Sequence, residues 1–313
     1  METSSFKAAL LCAVFIFLSA CTAKVSPVWE SEVTSSVSVE NVPFYPQEEY
    51  QCGPASLAAV LDYSGVDVQL DNLTGAVYTP SRKGSLQTAM LSGARRFGRV
   101  PYKIGTPAEL RDSLAMGYPV VVLQNNGLRF APVWHYAVVT GLYPDEKKVR
   151  LHSGLEKDLI LDEATFEHTW NRGGKWGFIL PEPYGIPGFV STSSYVDSVT
   201  AFEKVGGDPA EYYRGAYSEW SDNPLAGMAY ANYLYGEGEL AHAAEVYENL
   251  VEANPDRGVL WNNLANILLE TGDYDKALDA AERAVSLGGR FSKQAGQTLN
   301  EIKEEVQNGH KEE

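Results

Sequence analysis

The stretch Gln47-Glu-Glu-Tyr-Gln-Cys52-Gly-Pro-Ala-Ser-Leu57 decides how the first half of the chain is read. Pro54 suits the first turn of a helix, Leu57, Val60 and Leu61 share one face, and Gly65 stops the run. A helix is therefore predicted with Cys52 at its N-terminus. The unsatisfied N–H groups and the dipole there favour an anion, so a lowered thiol pKa is expected. A lone Cys in that setting, with a His far downstream, is a candidate nucleophile, the alternative being a buried structural thiol.

The other two cysteines belong to the N-terminus. Residues 8–20 are wholly apolar or small and follow Lys7, which has the length of a signal-peptide core and is short for a bilayer span. Cys12 lies inside that run. Leu18-Ser19-Ala20-Cys21 resembles the lipobox of bacterial lipoproteins, which implies cleavage before Cys21 and lipid attachment to its sulfur. Residues 1–20 are then a signal peptide and 21–41 an anchor and tether. Thr22, in place of Asp, points to the outer membrane, facing the periplasm, and the acyl chains would tie the chain to the membrane. On this reading Cys52 is left without a disulfide partner in an oxidising compartment.

The 313 residues suggest two domains of ordinary size. The net charge of −16 argues against nucleic acid or an anionic lipid surface as partner. The charge is uneven: residues 184–313 hold 22 acidic and 9 basic side chains, a net of −13. Composition changes at the Pro/Gly-rich segment 181–187, so domains are expected over 42–183 and 184–313.

Within the first domain, Thr106-Pro-Ala-Glu109 has the form of a capping box opening a helix. Residues 119–124 read as a buried strand, 134–141 as a second and 148–152 as a third, with a hairpin turn at 143–147 and a closing strand within 170–180. One helix bearing a thiol, packed on an antiparallel sheet bearing His135, is an α+β arrangement.

Gln47-x4-Cys52-Gly-Pro-Ala-Ser-Leu, with His135-Tyr-Ala-Val-Val-Thr-Gly141 some eighty residues later, resembles the papain-fold cysteine peptidases that process double-glycine leaders. It is most similar to the stand-alone branch of that family. The resemblance implies that Cys52 is the nucleophile and His135 the general base. It also implies that Gln47 donates to the oxyanion beside the Cys52 N–H. The family's strand after the His ends in Asp-Pro or Asn-Pro, whereas here it ends in Leu151-His152-Ser153-Gly154. Ser153 thus stands where the orienting carboxylate is expected. His152, Asp145, Glu156, Asp158 or a neighbour of Asn125 are the alternatives for that role. Neither His152 nor His168 is expected to be catalytic itself. No ligand spacing implies a metal, and no Gly-rich loop implies a nucleotide.

The second domain repeats at an offset of 34 residues. Gly238-Glu-Leu-Ala-His-Ala243 aligns with Gly272-Asp-Tyr-Asp-Lys-Ala277, and Ala231 with Ala265. The pattern resembles the tetratricopeptide repeat, clearest over 224–257 and 258–291. A degenerate earlier pair is expected at 193–205 and 209–220, and a polar capping helix at 291–306. An all-α solenoid of this kind implies a protein partner. The leading expectation is an envelope-anchored cysteine peptidase acting on a peptide or protein substrate. A catalytically impaired adaptor lipoprotein is the second, and acyl transfer to an amine a third.

Overall fold

The computed structural model describes residues 35–309. Cys12, Cys21 and the expected signal peptide lie outside the described residues. In chain order come β1 (Val37–Ser38), α1 (Cys52–Tyr63), α2 (Leu70–Val77), β2 (Tyr78–Thr79), β3 (Gly84–Ser85), α3 (Gln87–Arg96), β4 (Tyr102–Ile104) and α4 (Pro107–Ala115). They continue with β5 (Val120–Asn125), β6 (Trp134–Tyr143), β7 (Lys148–Ser153), β8 (Glu156–Asp162), α5 (Glu163–Arg172) and β9 (Gly177–Ile179). Seven helices follow: α6 (Thr192–Glu203), α7 (Ala210–Glu219), α8 (Pro224–Gly236), α9 (Leu240–Ala253), α10 (Gly258–Glu270), α11 (Tyr274–Leu287) and α12 (Ser292–Gly309).

The main sheet runs β4-β9-β5-β6-β7-β8, with β1 also paired to β6, and its pairings are antiparallel. Strand β5 is buried along its whole length, which is why it reads as an unbroken apolar run rather than an alternation. Helix α1 lies across β6 and buries Leu57, Ala58 and Leu61 completely. Its Ala-rich face brings the helix axis close to the sheet, so Cys52 at its head is held near the strand that carries His135.

The capping box at α4 closes in both directions. The Glu109 N–H donates to Thr106 Oγ1 at 3.1 Å, and the Thr106 N–H donates to Glu109 Oε2 at 3.0 Å. Thr106→Ala is expected to lower unfolding free energy by about 1 kcal/mol, read from the midpoint of a urea titration.

The closing strand expected within 170–180 is present but short. Trp170 to Arg172 end helix α5, and only Gly177–Ile179 form a strand, slotted between β4 and β5. Phe166 and Trp170 lie one turn apart, stack at 5.7 Å and are fully buried, so the aromatic pair makes a helical face. Gly173 and Gly174 then end the helix. Helices α2, α3 and α5 and strands β4 and β8 were not foreseen from the sequence.

Helices α8–α9 and α10–α11 form hairpins over the two stretches with the 34-residue offset. Ala231, Ala243, Ala265, Ala277 and Ala281 are buried at their contacts. Helix α12 packs against α11 and α10. Helices α6 and α7 pack differently. Tyr195, Val199, Phe202 and Tyr212 belong to the same continuous apolar core as the sheet, and the second core begins at Ala231. The composition change at 181–187 is therefore not a gap in the packing. Tyr118 donates its hydroxyl to the Gly185 carbonyl at 2.7 Å, and the rings of Tyr102 and Phe189 meet at 6.3 Å. Gly215 of α7 presses against the Pro183 carbonyl, leaving no space for a Cβ.

Candidate active site

Cys52 opens α1, half-buried, and is the free cysteine among the described residues. The backbone N–H groups of Tyr136, Gly53 and Cys52 itself act on the thiol in the direction of the thiolate. Gly53 has no space for a side chain, because a Cβ there would run into Ser85 Oγ and Met90 Sδ. The head of the helix is thus seated on the β2–β3 pair, which forms one wall of a cleft of about 950 Å³.

Cys52, His135 and Gln47 all line that cleft. His135 stands second in β6, opposite Gln124 of β5, and is half-buried. Its Nε2 lies 2.8 Å from Ser153 Oγ on the neighbouring strand β7. With the ring proton on Nε2, the hydroxyl accepts it and Nδ1 keeps its lone pair. Gln47 donates its backbone N–H to the Gly154 carbonyl at 3.3 Å, immediately after Ser153. Its side chain also borders a small neighbouring cavity together with Ser153 and His152.

The alternatives considered for the orienting group lie elsewhere. His152 is buried, its Nε2 on the Val42 carbonyl at 3.1 Å and its Nδ1 accepting the Asp158 N–H at 3.2 Å. It ties the strands to the segment before α1, and Phe44 packs edge-on against it at 5.5 Å. Asp158 faces His152 at 3.8 Å. Asp145 sits in the turn between β6 and β7, and Glu156 is exposed at the start of β8. Asn125 spends its side-chain carbonyl on the Gly127 and Val133 N–H groups, shaping the loop before His135.

The electrostatics correct one expectation. Burial pushes the Cys52 thiol above its ordinary range, and the three backbone N–H groups only partly oppose it. Burial likewise holds the His135 imidazole below its ordinary value. The helix end is a weaker anion host than the sequence implied, because Pro54 removes one N–H from the first turn and apolar packing withdraws water. Both groups favour their neutral forms at rest.

Sequence reasoning did not find Tyr50, Arg82, Lys83 and Arg172, which also line the cleft. They come from three segments brought together by the fold, and no local motif marks them. Trp134, next to His135, lines the cleft and is 55% exposed. Tyr136, on the other face of β6 from His135, is buried against Trp176 at 5.9 Å and donates its hydroxyl to the Ser85 carbonyl at 3.2 Å.

A helix-borne thiol laid across an antiparallel sheet, with an imidazole on the strand beneath it, is the arrangement of the papain-like class. Residues 39–177 match the model of the Peptidase_C39 like family, and residues 234–288 match that of a tetratricopeptide repeat. The chain therefore carries a C39-like peptidase domain followed by tetratricopeptide repeats. No curated protein matches. Among solved structures, a C39-like peptidase from Bacillus anthracis is 20% identical, with a TM-score of 0.41, over 48% of this chain and 98% of that one. The peptidase domain of Streptococcus ComA, a bi-functional ABC transporter involved in a quorum-sensing pathway, is 22% identical. Its TM-score is 0.38, and the match spans 45% of this chain and 100% of that one. The Sgt2 tetratricopeptide domain of Aspergillus fumigatus is 20% identical with a TM-score of 0.33, over 38% and 80% of the two chains.

Proposed function

We propose that the protein is a cysteine peptidase of the bacterial envelope, anchored through lipid on Cys21, whose repeats recruit a protein substrate or partner. The observation that carries the enzymatic reading is the cleft itself. It gathers Cys52, His135 and Gln47 on one wall system, with the far nitrogen of His135 held by Ser153 at 2.8 Å.

In this reading His135 takes the thiol proton at Nδ1 as the sulfur adds to the scissile carbonyl. A C–S bond forms and the carbonyl π pair moves to oxygen, where the Cys52 N–H and the Gln47 amide donate to it. Collapse breaks the C–N bond, and the imidazolium gives its proton to the leaving amine. Water then hydrolyses the thioester by the same groups. An uncharged resting pair means that the imidazolium forms only during the reaction, steadied by a hydroxyl rather than a carboxylate.

Ser153→Asp tests that point. A carboxylate on Nε2 favours the imidazolium, which in turn favours the thiolate. The acid limb of Cys52 alkylation by iodoacetamide should move to lower pH, and the rate at pH 6 should rise about tenfold. An unmoved limb would remove Ser153 as the partner of His135.

The repeats support interaction with protein. A groove of about 570 Å³ runs between α7, α8 and α9, lined by Tyr217, Tyr230 and Tyr233 with Glu237 and Glu245 at its rim. We place the partner there. The second reading, an adaptor without catalysis, is favoured by the neutral Cys52 and His135 pair and by the serine in the carboxylate's place.

A further inference from the structure

The chain holds 41 acidic and 25 basic side chains, yet the cleft around Cys52 has the opposite balance. Arg82, Lys83 and Arg172 line it, and no Asp or Glu does. None of the three forms an ion pair among the described residues. Lys83 Nζ lies over the Tyr50 ring, 5.4 Å from its centre, and Arg172 Nε donates to the Asn125 carbonyl at 3.0 Å. That bond fixes the Arg172 stem at the last turn of α5. Tyr50 and Lys83 both hold left-handed backbone, with φ of 66° and 48°, a conformation non-glycine residues rarely adopt. Two separate segments, the turn at Arg82 and Lys83 and the end of α5 at Arg172, thus contribute cations to the cleft that holds the thiol. Between and beside them the surface is apolar: Leu86 and Val133 line the cleft and are largely exposed, as is Phe130 in the loop leading to β6.

We propose that this cleft selects acidic peptide segments, with carboxylates paired to Arg82, Lys83 and Arg172 and large apolar side chains laid on Leu86, Val133 and Trp134. The assignment rests on the peptidase reading for its consequence, since it names the substrate class of that site. Cations lining a concave, partly desolvated site raise the local concentration of anions and offer the paired geometry that guanidinium gives a carboxylate. A protein so acidic elsewhere repels such a peptide from the rest of its surface, so the cleft is where it would settle. The same chemistry on an anionic membrane is the competing source, and it is disfavoured because the cations line a concave cleft that also holds the thiol rather than a flat face.

The test uses the full chain with Cys12→Ser and Cys21→Ser, leaving Cys52 as its one thiol. Its modification rates are measured with an anionic sulfonatoethyl and a cationic trimethylammonioethyl methanethiosulfonate, each relative to 2-mercaptoethanol. The anionic reagent should be favoured by about tenfold or more at low salt, the preference shrinking in 0.5 M NaCl. Arg82→Gln alone should reduce it, and the combined Arg82→Gln, Lys83→Gln, Arg172→Gln variant should abolish it while keeping its melting temperature. Added Cys52→Ala then allows calorimetry with capped (Glu-Leu)4 and (Lys-Leu)4 peptides, the first expected to bind about tenfold tighter or better. Equal or inverted preference in either assay overturns the proposal. So does flotation with phosphatidylglycerol vesicles that depends on the three cations while the peptides are not distinguished. Charge preference without any Cys52-dependent cleavage would uphold the acidic-peptide cleft and sink the peptidase reading; cleavage without charge preference would do the reverse.

Discussion

Cys52→Ala should abolish peptide hydrolysis, lowering kcat on the order of 10,000-fold or more, while the fold and the binding of protein partners persist. His135→Ala should cost nearly as much, and the double variant should be no worse than either alone, because the thiol and imidazole act as one unit. The helix head and the strand are set by buried neighbours, with Leu57 and Leu61 below Cys52 and Ala137 and Val139 beyond His135. Removal of either functional group therefore leaves its supports intact. Cleavage of a mixed peptide library, followed by mass spectrometry, reads the effect directly. Undiminished cleavage by Cys52→Ala would end the thiol mechanism, and unchanged partner binding with no cleavage by the native chain would establish the adaptor.

The same pair sets the pH range. Reaction from the neutral pair needs an unprotonated imidazole and a protonated thiol. Activity should fall as pH drops through the depressed imidazole value, below the ordinary 6.5, and as pH rises through the elevated thiol value, above the ordinary 9.0. A plateau wider than that range is expected in kcat/KM. A thiol already ionised at neutral pH would narrow it from the alkaline side and restore the expectation raised by the helix end alone.

How much of this was legible beforehand varies with the distance over which the physics acts. The helix after Cys52, the capping box at Thr106 and the strand through His135 declare themselves by local spacing, and so do the paired helices at a 34-residue offset. Ser153 could be placed by counting along a strand, because β7 pairs with β6 and the register is set by their hairpin. The thiol's protonation could not, since it depends on how tightly distant segments exclude water. The cations of the cleft escaped for a similar reason. Arg82 and Lys83 sit in a turn that looks like any solvated loop, and Arg172 looks like an ordinary positive charge at a helix C-terminus. The closing strand was legible only in part: Phe166 and Trp170 fit one helical face, and the glycines between them and β9 leave only Gly177–Ile179 for the strand.

A chain ended at residue 183 should fail to fold cooperatively, whereas one ended at residue 239, after α8, should melt as a single transition. The prediction follows from where the apolar core stops. Tyr195 and Val199 of α6 are fully buried, Phe202 nearly so, and Tyr212 and Ala216 of α7 close the same cluster over the sheet. Burying a large apolar side chain contributes roughly 1.5–3 kcal/mol, and a whole domain is stable by only about 5–15 kcal/mol. Cutting at 183 uncovers Val100, Tyr102 and Leu180 beside the β4 edge and strips the Tyr118 hydroxyl of its Gly185 acceptor, a loss of about 5 kcal/mol or more. Near-ultraviolet circular dichroism and a thermal melt of the two truncated chains measure it. If the shorter chain keeps the native melting temperature, α6 and α7 are an appendage of the solenoid. If it does not, the first two helices after the Pro-rich segment are part of the enzyme-like domain. The groove on α7 to α9 is then fixed in place relative to the cleft, because α7 belongs to the core that holds Cys52 and His135.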